Sequence, residues 1–543
     1  MSACNFHCND GFDRVGGECL PSPPALLSPL SSWTINESSP QFQTSIRPEF
    51  VEYRNEVCHD RACTRRVAEW TALGALSRSP QTIPPHAILY WRSTGVMRDG
   101  RRRTSTVAPF RTTTRASRGY DTPFFDFDGD GYADSLGAAV AGGRPPASVR
   151  FGGPALQSIA TAEVPLLPFP GSMSPSENLR VASMQIIGDY DGDGISDAAM
   201  LAAGMEVYFG ASSRTERAAS QSPAELGMLC CYAHLPRVLA PLGDINRDGL
   251  SDFATAAWNP FSRAQRVDVY LGRRDRRLVP RTHMEATNAE QIVAGPRCTA
   301  QGFGESPYLF ALARVTPDSR TLFAVALRVA ERSIEPAGGE PLLLPYPDAK
   351  IEDVGDIDGD GRNEAIVHSA TGLSEQVFVI RLRSDCWGIS ATPTTFSNMI
   401  AVARTTDLDG DGTHELIWAR FATRTNPEFL VVHRGGPMVL TDRVGSTSLP
   451  VESIYTTPLD SYRNTFSRYT FGSPGDMSGD GLDDFIVTPR WVSSELPMLF
   501  TGSDLSSWPA PAARLPLMPN VDTFASRAQP RRRARSPGLC AAR

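Results

Sequence analysis

The sequence predicts an all-β protein, built as a seven-bladed β-propeller with a small N-terminal β-sandwich. Three observations carry this prediction. A carboxylate-rich nonapeptide recurs six times, a short apolar run follows most of its copies, and the copies are spaced by about one blade length, with one gap of twice that length. Runs of three to six apolar or β-branched residues bounded by Gly and Pro are typical of buried strands and are too short for helices.

The nonapeptide has oxygen-bearing side chains at positions 1, 3, 5 and 9 and a glycine at position 6. Alternate oxygen ligands around a sharp turn are how a short loop wraps a hard cation such as Ca²⁺, so we expect about six calcium sites. The side chains at these four positions are Asp126, Asp128, Asp130 and Asp134; Asp189, Asp191, Asp193 and Asp197; Asp244, Asn246, Asp248 and Asp252; Asp356, Asp358, Asp360 and Glu364; Asp407, Asp409, Asp411 and Glu415; and Asp476, Ser478, Asp480 and Asp484. The main-chain carbonyl of position 7 is a further expected ligand, at Tyr132, Ile195, Leu250, Arg362, Thr413 and Leu482.

The sequence argues against EF-hands, which need a bidentate Glu at position 12 and a helix on each side. Position 12 is Gly137, Met200, Thr255, Val367, Trp418 or Val487. Apolar runs follow position 9 instead, so each loop is predicted to join two antiparallel strands. A third strand commonly ends in an aromatic residue and a glycine, as at 207–210, and the best candidate for a fourth strand is 342–344.

The spacing of the loops predicts the number of blades. Their first aspartates are separated by 63, 55, 112, 51 and 69 residues, and the gap of 112 indicates one unit without a metal loop. We place the lost loop at 316–320, between the apolar runs 308–313 and 322–327. Seven units across 114–525 contain about 59 residues each, which suits four-stranded blades. Six blades with a long insertion at 290–345 is the alternative.

The loop pattern, with an apolar strand after it and a Tyr-Phe-Gly strand after that, resembles the FG-GAP (integrin α-like) repeat over about three quarters of the chain. The resemblance implies a propeller with calcium-binding loops between the strands of most blades. It implies less about function, because similar proteins include adhesion modules, lectin-like binders and accessory domains of enzymes. This chain departs from the pattern at Asn246, Arg247 and Ser478 and in the silent fourth unit, and those departures bear on metal binding more than on the fold.

The N-terminal part divides into three segments. Residues 1–20 carry three cysteines and resemble a fragment of an EGF-like disulfide module, and the proline-rich segment 21–24 is predicted to be a stiff linker. Residues 25–113 carry short strand-like runs, such as 51–57, over a length that suits an Ig or fibronectin-III-like sandwich. An extra blade, or strands that close the propeller, is the alternative.

The sequence predicts the cysteine pairing only in part. Cys58 and Cys63 bracket a four-residue turn that a disulfide could staple. The adjacent Cys230 and Cys231 are either partners of Cys298 or Cys386 or a buried pair of free thiols, and the sequence does not choose between these alternatives.

The charge and hydropathy of the sequence indicate which classes of partner to expect. The formal net charge is −7, but six bound Ca²⁺ ions would bring it to +5, so the acidity of the sequence does not indicate a cationic partner. Lys350 is the sole lysine; an arginine-rich surface could suit an acidic polysaccharide, but a compositional bias toward arginine is the favoured interpretation. The basic segment 526–543 is predicted to be a disordered tail, and we expect no nucleic-acid partner. No run of 18 apolar residues is present, so no membrane-spanning segment is expected.

The sequence predicts a binding protein rather than an enzyme. It contains no His-Glu-x-x-His, Gly-x-Ser-x-Gly or phosphate-binding Gly-Lys-Ser/Thr motif, and His414 is expected to be a solvent-facing spacer in its loop. We expect a monomeric, calcium-stabilised extracellular or cell-surface adhesion scaffold that recognises a protein or a glycan. Residues 1–4 do not read as a signal peptide, so this placement predicts a mature or truncated chain. The alternative is a propeller-type polysaccharide lyase or a lectin that uses Arg and Ca²⁺ to bind acidic polysaccharide.

Overall fold

The protein is all-β in every part that the computed structural model describes. Those parts are residues 8, 12–29, 33–35, 40–85, 87–112, 122–123, 125–138, 147–153, 163–166, 183–201, 205–211, 219–221, 235–258, 265–285, 289–300, 304–314, 321–330, 333–360, 362–369, 376–395, 399–403, 407–420, 429–433, 435–436, 452–455, 469–489, 498–502 and 513–514. Every regular element in these ranges is a β-strand, which confirms the predicted class. None of them contains a helix that is long and apolar enough to cross a membrane.

The chain begins with a small disulfide-linked hairpin. Strands β1 (Phe12–Val15) and β2 (Glu18–Pro21) pair antiparallel, and Cys8 is bonded to Cys19. Gly16 and Gly17 have φ of 57° and 96°, and two consecutive positive φ values form the tight turn that matches the twist of a hairpin. The second strand runs through Pro21, which the sequence assigns to the linker.

Two sheets around a shared core follow the hairpin. The larger sheet contains β4 (Trp33–Ile35), β6 (Phe50–Cys58), β7 (Arg66–Ala72), β9 (Ile88–Met97), β10 (Arg102–Thr104), β11 (Ala108–Thr112) and β12 (Thr122–Pro123), and the smaller contains β3 (Leu26–Ser28), β5 (Gln41–Thr44) and β8 (Leu76–Arg78). Trp91 and Phe110 from the larger sheet both pack edge-on against Phe42 from the smaller one, with ring centroids 5.0 and 5.9 Å from that of Phe42. The arrangement fits a sandwich, and its assignment to the Ig or fibronectin-III class stays a prediction. We call residues 25–112 of this region the N-terminal unit.

Seven antiparallel sheets then follow in chain order, and consecutive strands pair side by side in each. Sheet 1 contains β13 (Ser135–Ala138), β14 (Ala147–Arg150) and β15 (Glu163–Leu166). Sheet 2 contains β16 (Ser183–Gly188), β17 (Asp197–Leu201), β18 (Met205–Phe209) and β19 (Ala219–Gln221). Sheet 3 contains β20 (Leu235–Gly243), β21 (Asp252–Trp258), β22 (Gln265–Tyr270) and β23 (Pro280–Glu285).

The remaining four sheets have the same order of strands. Sheet 4 contains β24 (Ala289–Ala300), β25 (Gly304–Arg314), β26 (Leu322–Ala330), β27 (Ser333–Pro336) and β28 (Leu342–Leu343). Sheet 5 contains β29 (Ala349–Gly355), β30 (Glu364–Ser369), β31 (Gln376–Leu382) and β32 (Ile389–Thr395). Sheet 6 contains β33 (Met399–Ala403), β34 (Leu416–Arg420), β35 (Phe429–His433) and β36 (Glu452–Tyr455), and sheet 7 contains β37 (Tyr469–Gly475), β38 (Asp484–Pro489), β39 (Met498–Phe500) and β40 (Ala513–Arg514).

Neighbouring sheets pack face to face on apolar side chains. Val149 of sheet 1 shares a buried cluster with Met200 and Tyr208 of sheet 2, and similar clusters join sheets 2 and 3, sheets 3 and 4, and sheets 4 and 5. The first strands of sheets 2 to 7 contact one another in order, and β37 of sheet 7 also contacts β13 of sheet 1. The core is therefore distributed between the sheets, and the last sheet meets the first.

Sheet 4 differs from the prediction in two respects. The run 342–344 provides a fifth strand, β28, paired to β26, whereas the fourth strand is β27. In other sheets the metal loop joins the first and second strands, so the equivalent place in sheet 4 is the short connection 301–303 between β24 and β25, not 316–320 between β25 and β26. Both connections lie outside the described residues. The prediction failed because β24 itself was not recognised as a strand.

Two further disulfides lie in the described ranges. Cys58 is bonded to Cys63, as the turn between them predicts. Cys298 of sheet 4 is bonded to Cys386, which lies in the turn between β31 and β32 of sheet 5. This bond covalently joins two neighbouring sheets, and it leaves neither cysteine for Cys230 or Cys231, which lie outside the described residues, as does the tail 526–543.

Candidate metal-binding loops

The six repeated loops are named here by their first residue: 126, 189, 244, 356, 407 and 476. Each of the last five joins the first and second strands of its sheet, as predicted. Loop 126 leads into β13, but the strand before it, β12, pairs with β4 of the N-terminal unit. The first loop therefore lies between that unit and sheet 1.

A shared set of hydrogen bonds folds every loop. The carboxylate of position 9 accepts the N–H of position 2, which brings the two ends of the loop together. These bonds are Phe127 to Asp134 (2.6 Å), Tyr190 to Asp197 (2.7 Å), Ile245 to Asp252 (2.8 Å), Ile357 to Glu364 (3.0 Å), Leu408 to Glu415 (2.6 Å) and Met477 to Asp484 (2.7 Å). The residue at position 9 is thus a structural clasp as well as a predicted ligand.

The carboxylates at positions 1 and 5 also hold the loop backbone. Position 1 accepts the N–H of the position 6 glycine in loops 126, 189, 244, 407 and 476, at 2.7 to 3.0 Å. Position 5 accepts the N–H of position 7 at 2.9 Å in all six loops. Arg247, a departure from glycine at position 4, adopts the same left-handed conformation (φ 61°) as Gly192 (φ 75°) in the neighbouring loop. The departure therefore leaves the turn intact.

The glycine after the third strand completes five of the six loops, those at 126, 189, 244, 407 and 476, and its role was not predicted. The N–H of Gly210 donates to the second oxygen of Asp197 (2.9 Å), and Gly152, Gly272, Gly435 and Gly502 make the equivalent bond. A Cβ at Gly210 would overlap Ile195 and the carbonyl of Ser196. The aromatic-x-Gly ending is visible in the sequence, but its spacing from position 9 does not reveal that the two meet.

Backbone hydrogen bonds connect each loop to a neighbour. The N–H of position 8 donates to the position 1 carbonyl of the preceding loop: Ala133 to Asp476 (3.0 Å), Ser196 to Asp126 (2.9 Å), Ser251 to Asp189 (2.8 Å), His414 to Asp356 (2.9 Å) and Asp483 to Asp407 (3.4 Å). Sheet 4 has no such loop, and there Arg297 of β24 donates to the carbonyl of Asp244 instead (2.8 Å). The loops therefore form a linked series in which loop 126 bonds back to loop 476.

Four loops gather enough carboxylates to hold a cation. Oxygens of three acidic residues lie within 4.8 Å of one another in the sets Asp126, Asp128 and Asp134; Asp189, Asp191 and Asp197; Asp356, Asp358 and Asp360; and Asp407, Asp409 and Glu415. Among the described residues, loops 244 and 476 do not form such a set. These are the two loops that carry Asn246 and Ser478 at position 3, where the sequence departs from the pattern.

Three buried carboxylate oxygens in the loops lack a hydrogen-bond donor, as oxygens that ligate a metal ion would. Asp126 Oδ1, Glu364 Oε1 and Asp407 Oδ1 are buried and lack a hydrogen-bond partner in the described structure, which is costly for a carboxylate unless an ion takes the place of the missing donor. Several of these clusters could thus hold a metal ion. The role of the remaining predicted ligands stays a prediction. They are Asp130, Asp193, Asp411 and the position 7 carbonyls, which are close in sequence to these clusters.

Burial, and then the charge of neighbouring carboxylates, raises the pKa values of several loop carboxyl groups. Burial, followed by the charge of Asp191, raises the pKa of Asp193 to about 6. Burial, followed by Asp248, raises the pKa of Asp244 to about 6, and burial followed by Asp358 raises the pKa of Glu364 to about 10. The ionised loops are therefore strained in the absence of a cation, and a divalent ion would relieve that strain.

His414 is not the solvent-facing spacer that the sequence predicts. Its side chain is only 7% exposed, and Nδ1 accepts the backbone N–H of Asp356 (2.7 Å) in the neighbouring loop. The prediction failed because it considered loop 407 alone, whereas position 8 lies at the contact between two loops.

The N-terminal unit lies directly on loops 126 and 189, which no local pattern predicts. Arg61, in the turn closed by Cys58 and Cys63, donates to the carbonyls of Gly129 (3.3 Å), Gly194 (3.3 Å) and Asp193 (3.2 Å). The hydroxyl of Tyr90 donates to the carbonyl of Asp130 (2.6 Å). The unit therefore binds the backbone of the candidate metal loops.

The sequence matches no protein-family model and no curated protein. Among solved structures, the chain is similar to the fission yeast SREBP–SCAP binding domains, solved as a complex, with a TM-score of 0.27 and 11% identity, covering 61% of this chain and 94% of that chain. A likeness at this TM-score carries no argument, so the functional inference depends on the geometry of the loops.

Proposed function

We propose that the chain is a calcium-stabilised, FG-GAP-like propeller that serves as an extracellular binding or adhesion scaffold. The observation that carries the proposal is the linked series of loops, each folded by the same hydrogen bonds and joined to its neighbour. The seven sheets would be the blades, and the bond from Ala133 of loop 126 to Asp476 of loop 476 supports closure of the ring. A ring also removes sheet edges that would otherwise invite aggregation.

Calcium is the cation best suited to these loops. The candidate ligands are oxygens, which hard cations prefer, and they lie on one flexible turn that suits the variable geometry of Ca²⁺ better than the strict octahedron of Mg²⁺. Calcium would supply positive charge to the buried carboxylates and tie positions 1, 3 and 9 together. Loops of extracellular modules bind calcium with dissociation constants on the order of 10⁻⁴–10⁻³ M.

An extracellular location agrees with the cysteine chemistry. Three disulfides link described cysteines, and disulfides persist in oxidising compartments. One of them holds the turn that presents Arg61 to loops 126 and 189. We infer that the protein works outside the reducing cytosol, as a monomer that displays the outer surfaces of its sheets to a protein or glycan.

The proposal is tested with a glycan array and a panel of surface proteins, probed with the whole chain in calcium and in EDTA. We expect retention of at least one ligand class in calcium and loss of that binding in EDTA. The control variant is Asp275→Asn, which is expected to bind in calcium as the parent chain does. Asp275 is an exposed acid outside the loops and pairs with Arg273. Turnover of a uronate polysaccharide to an unsaturated, ultraviolet-absorbing product would contradict the scaffold and favour the lyase, and binding that is equal in calcium and EDTA would contradict the role of the metal.

A further inference from the structure

Loop 476 contains a buried arginine from another part of the chain. Arg111, on β11 of the N-terminal unit, has a side chain that is only 5% exposed. Its Nη2 donates to Asp476 Oδ2, and its Nη1 lies 3.3 Å from Asp483 Oδ1. Arg111 and Asp476 are separated by 365 residues, so no sequence pattern indicates the pair.

This guanidinium meets the carboxylate that begins the loop. In loops 126 and 407 the position 1 carboxylate has a buried oxygen without a hydrogen bond, whereas both oxygens of Asp189, Asp244 and Asp476 accept backbone N–H groups of their own loops. At Asp476 a guanidinium from outside the loop is an additional donor. Oδ1 accepts the N–H groups of Gly479 and Asp480 and the hydroxyl of Ser478, and Oδ2 accepts Gly481 and Arg111. The positive charge that a metal ion would bring to this carboxylate is therefore supplied here by a guanidinium of the chain itself.

The acids of loop 476 are redistributed to suit an arginine. Position 3 is the neutral Ser478, and an additional carboxylate, Asp483, stands at position 8, where the other loops carry Ala133, Ser196, Ser251, Asn363 and His414. That additional carboxylate is the second partner of Arg111. A guanidinium presents several N–H donors in a planar fork and suits two separate carboxylates, whereas a metal ion suits oxygens converging on one point.

Other arginines near the loops differ from Arg111 in burial. Arg276 contacts Asp191 (2.5 Å) and Asp193 (3.5 Å) of loop 189, but its side chain is 41% exposed. Arg381 lies 3.3 Å from Asp358 with a side chain that is 30% exposed. Loops 189 and 356 still gather three carboxylates each, whereas in loop 476 position 3 is the neutral Ser478 and no such set forms among the described residues. Loop 244, with Asn246 at position 3, also lacks a set, so it is the burial of Arg111 between two carboxylates that separates replacement of the ion from peripheral pairing.

We propose that Arg111 takes the place of the metal ion in loop 476, which makes this loop a socket for the N-terminal unit and not a calcium site. The inference depends on the metal-binding part of the proposed function. It assigns two modes of docking to one unit: Arg61 and Tyr90 bind the backbone of loops whose shape a metal would support, and Arg111 binds loop 476 without a metal. A buried charge pair of this kind is strongly destabilising to break, because the remaining partner is left uncompensated.

The test compares the position 5 residues of two loops by calcium stoichiometry, measured by equilibrium dialysis of the whole chain. Asp360→Asn, in loop 356, is expected to remove one bound calcium per chain, because Asp360 belongs to the set of three carboxylates in that loop. Asp480→Asn, in loop 476, is expected to remove none. Loss of one calcium from Asp480→Asn would overturn the inference. Loss of none from Asp360→Asn, or no calcium bound by the parent chain, would instead contradict the proposed function.

A second comparison measures docking. Arg111→Gln is expected to lower the melting temperature by the same amount in calcium and in EDTA, because its site contains no metal. Asp360→Asn is expected to lower it in calcium only. The control is Arg66→Gln, an arginine of the same unit with a side chain that is 52% exposed, for which no shift is expected. An effect of Arg111→Gln that disappears in EDTA would contradict the inference, and if that variant does not fold, the stoichiometry of Asp480→Asn still decides.

Discussion

Asp197 shows how one carboxylate serves several functions in a loop. Oδ2 accepts the N–H groups of Tyr190 (2.7 Å) and Asp191 (3.3 Å), and Oδ1 accepts that of Gly210 (2.9 Å). The same residue belongs to a set of three carboxylates that could hold a cation. The spacing of acids in the sequence predicts the second role. It does not predict the first, because hydrogen bonds to backbone N–H groups leave no mark on residue identity.

Gly210 provides a test at the scale of one residue. Its missing Cβ lets the backbone approach Ile195, Ser196 and Phe127, so Gly210→Ala forces overlap at the contact between loops 126 and 189. We expect the free energy of unfolding to fall by roughly 1–3 kcal/mol, a typical cost of overpacking. Chemical denaturation in calcium measures the change.

The matched control is Gly74→Ala. A Cβ at Gly74 meets nothing within 4 Å, and its φ is not in the left-handed region. We expect that variant to be as stable as the parent chain. Equal stability of Gly210→Ala and Gly74→Ala would show that the glycine is not needed for close approach.

At the scale of the element, the sequence predicts inner strands better than outer ones. Strands such as β30 are buried along their whole length, so they appear as apolar runs after the loops. The fourth strands β23 and β32 contain Pro280 and Pro393 and many polar residues, since a strand at the edge of its sheet pairs on one side only. These fourth strands were not predicted because they lack an apolar run, although they pair along their length with the third strands.

The disulfide between Cys298 and Cys386 should be the more stabilising of the two outside the hairpin. It closes a segment of 88 residues, whereas that between Cys58 and Cys63 closes one of 5. Loop-closure entropy predicts about 4–5 kcal/mol for the former and about 2 kcal/mol for the latter. Chemical denaturation of the double alanine variants measures both. A larger loss from Cys58→Ala/Cys63→Ala would show that the small turn acts mainly by presenting Arg61.

At the scale of the whole molecule, the periodic part of the chain was more predictable than the contact between its parts. Seven units and the site of most loops follow from spacing, because each unit repeats the same packing problem. Closure of the ring stays a proposal that the contact of sheet 7 with sheet 1 supports. The seating of Arg61, Tyr90 and Arg111 on the loops could not be predicted, since these residues occur once and their partners are distant in sequence.

The raised pKa values of the loops predict how stability depends on pH. Without metal, the loop carboxyl groups of the folded protein keep protons that the same groups release at about pH 4 in the unfolded chain. That stabilising contribution is complete below about pH 4. It is lost as the pH rises through about 6 for Asp193 and Asp244, and only near 10 for Glu364. The metal-free protein should therefore become less stable between about pH 4.5 and 7.5.

Calcium should reverse this trend, because it binds the ionised carboxylates and replaces the lost protons. We expect the melting temperature in EDTA to fall over this range while that in excess calcium holds or rises, so that the gap between them widens with pH. Calorimetry at constant ionic strength measures both curves. A gap that is constant with pH would show that the ion binds elsewhere than at these carboxylates, and identical curves would show that no ion supports the fold. A widening gap would tie the stability of the sheets to the loops that join them, since each loop bonds to its neighbour and a loop strained by unneutralised charge weakens two sheets together.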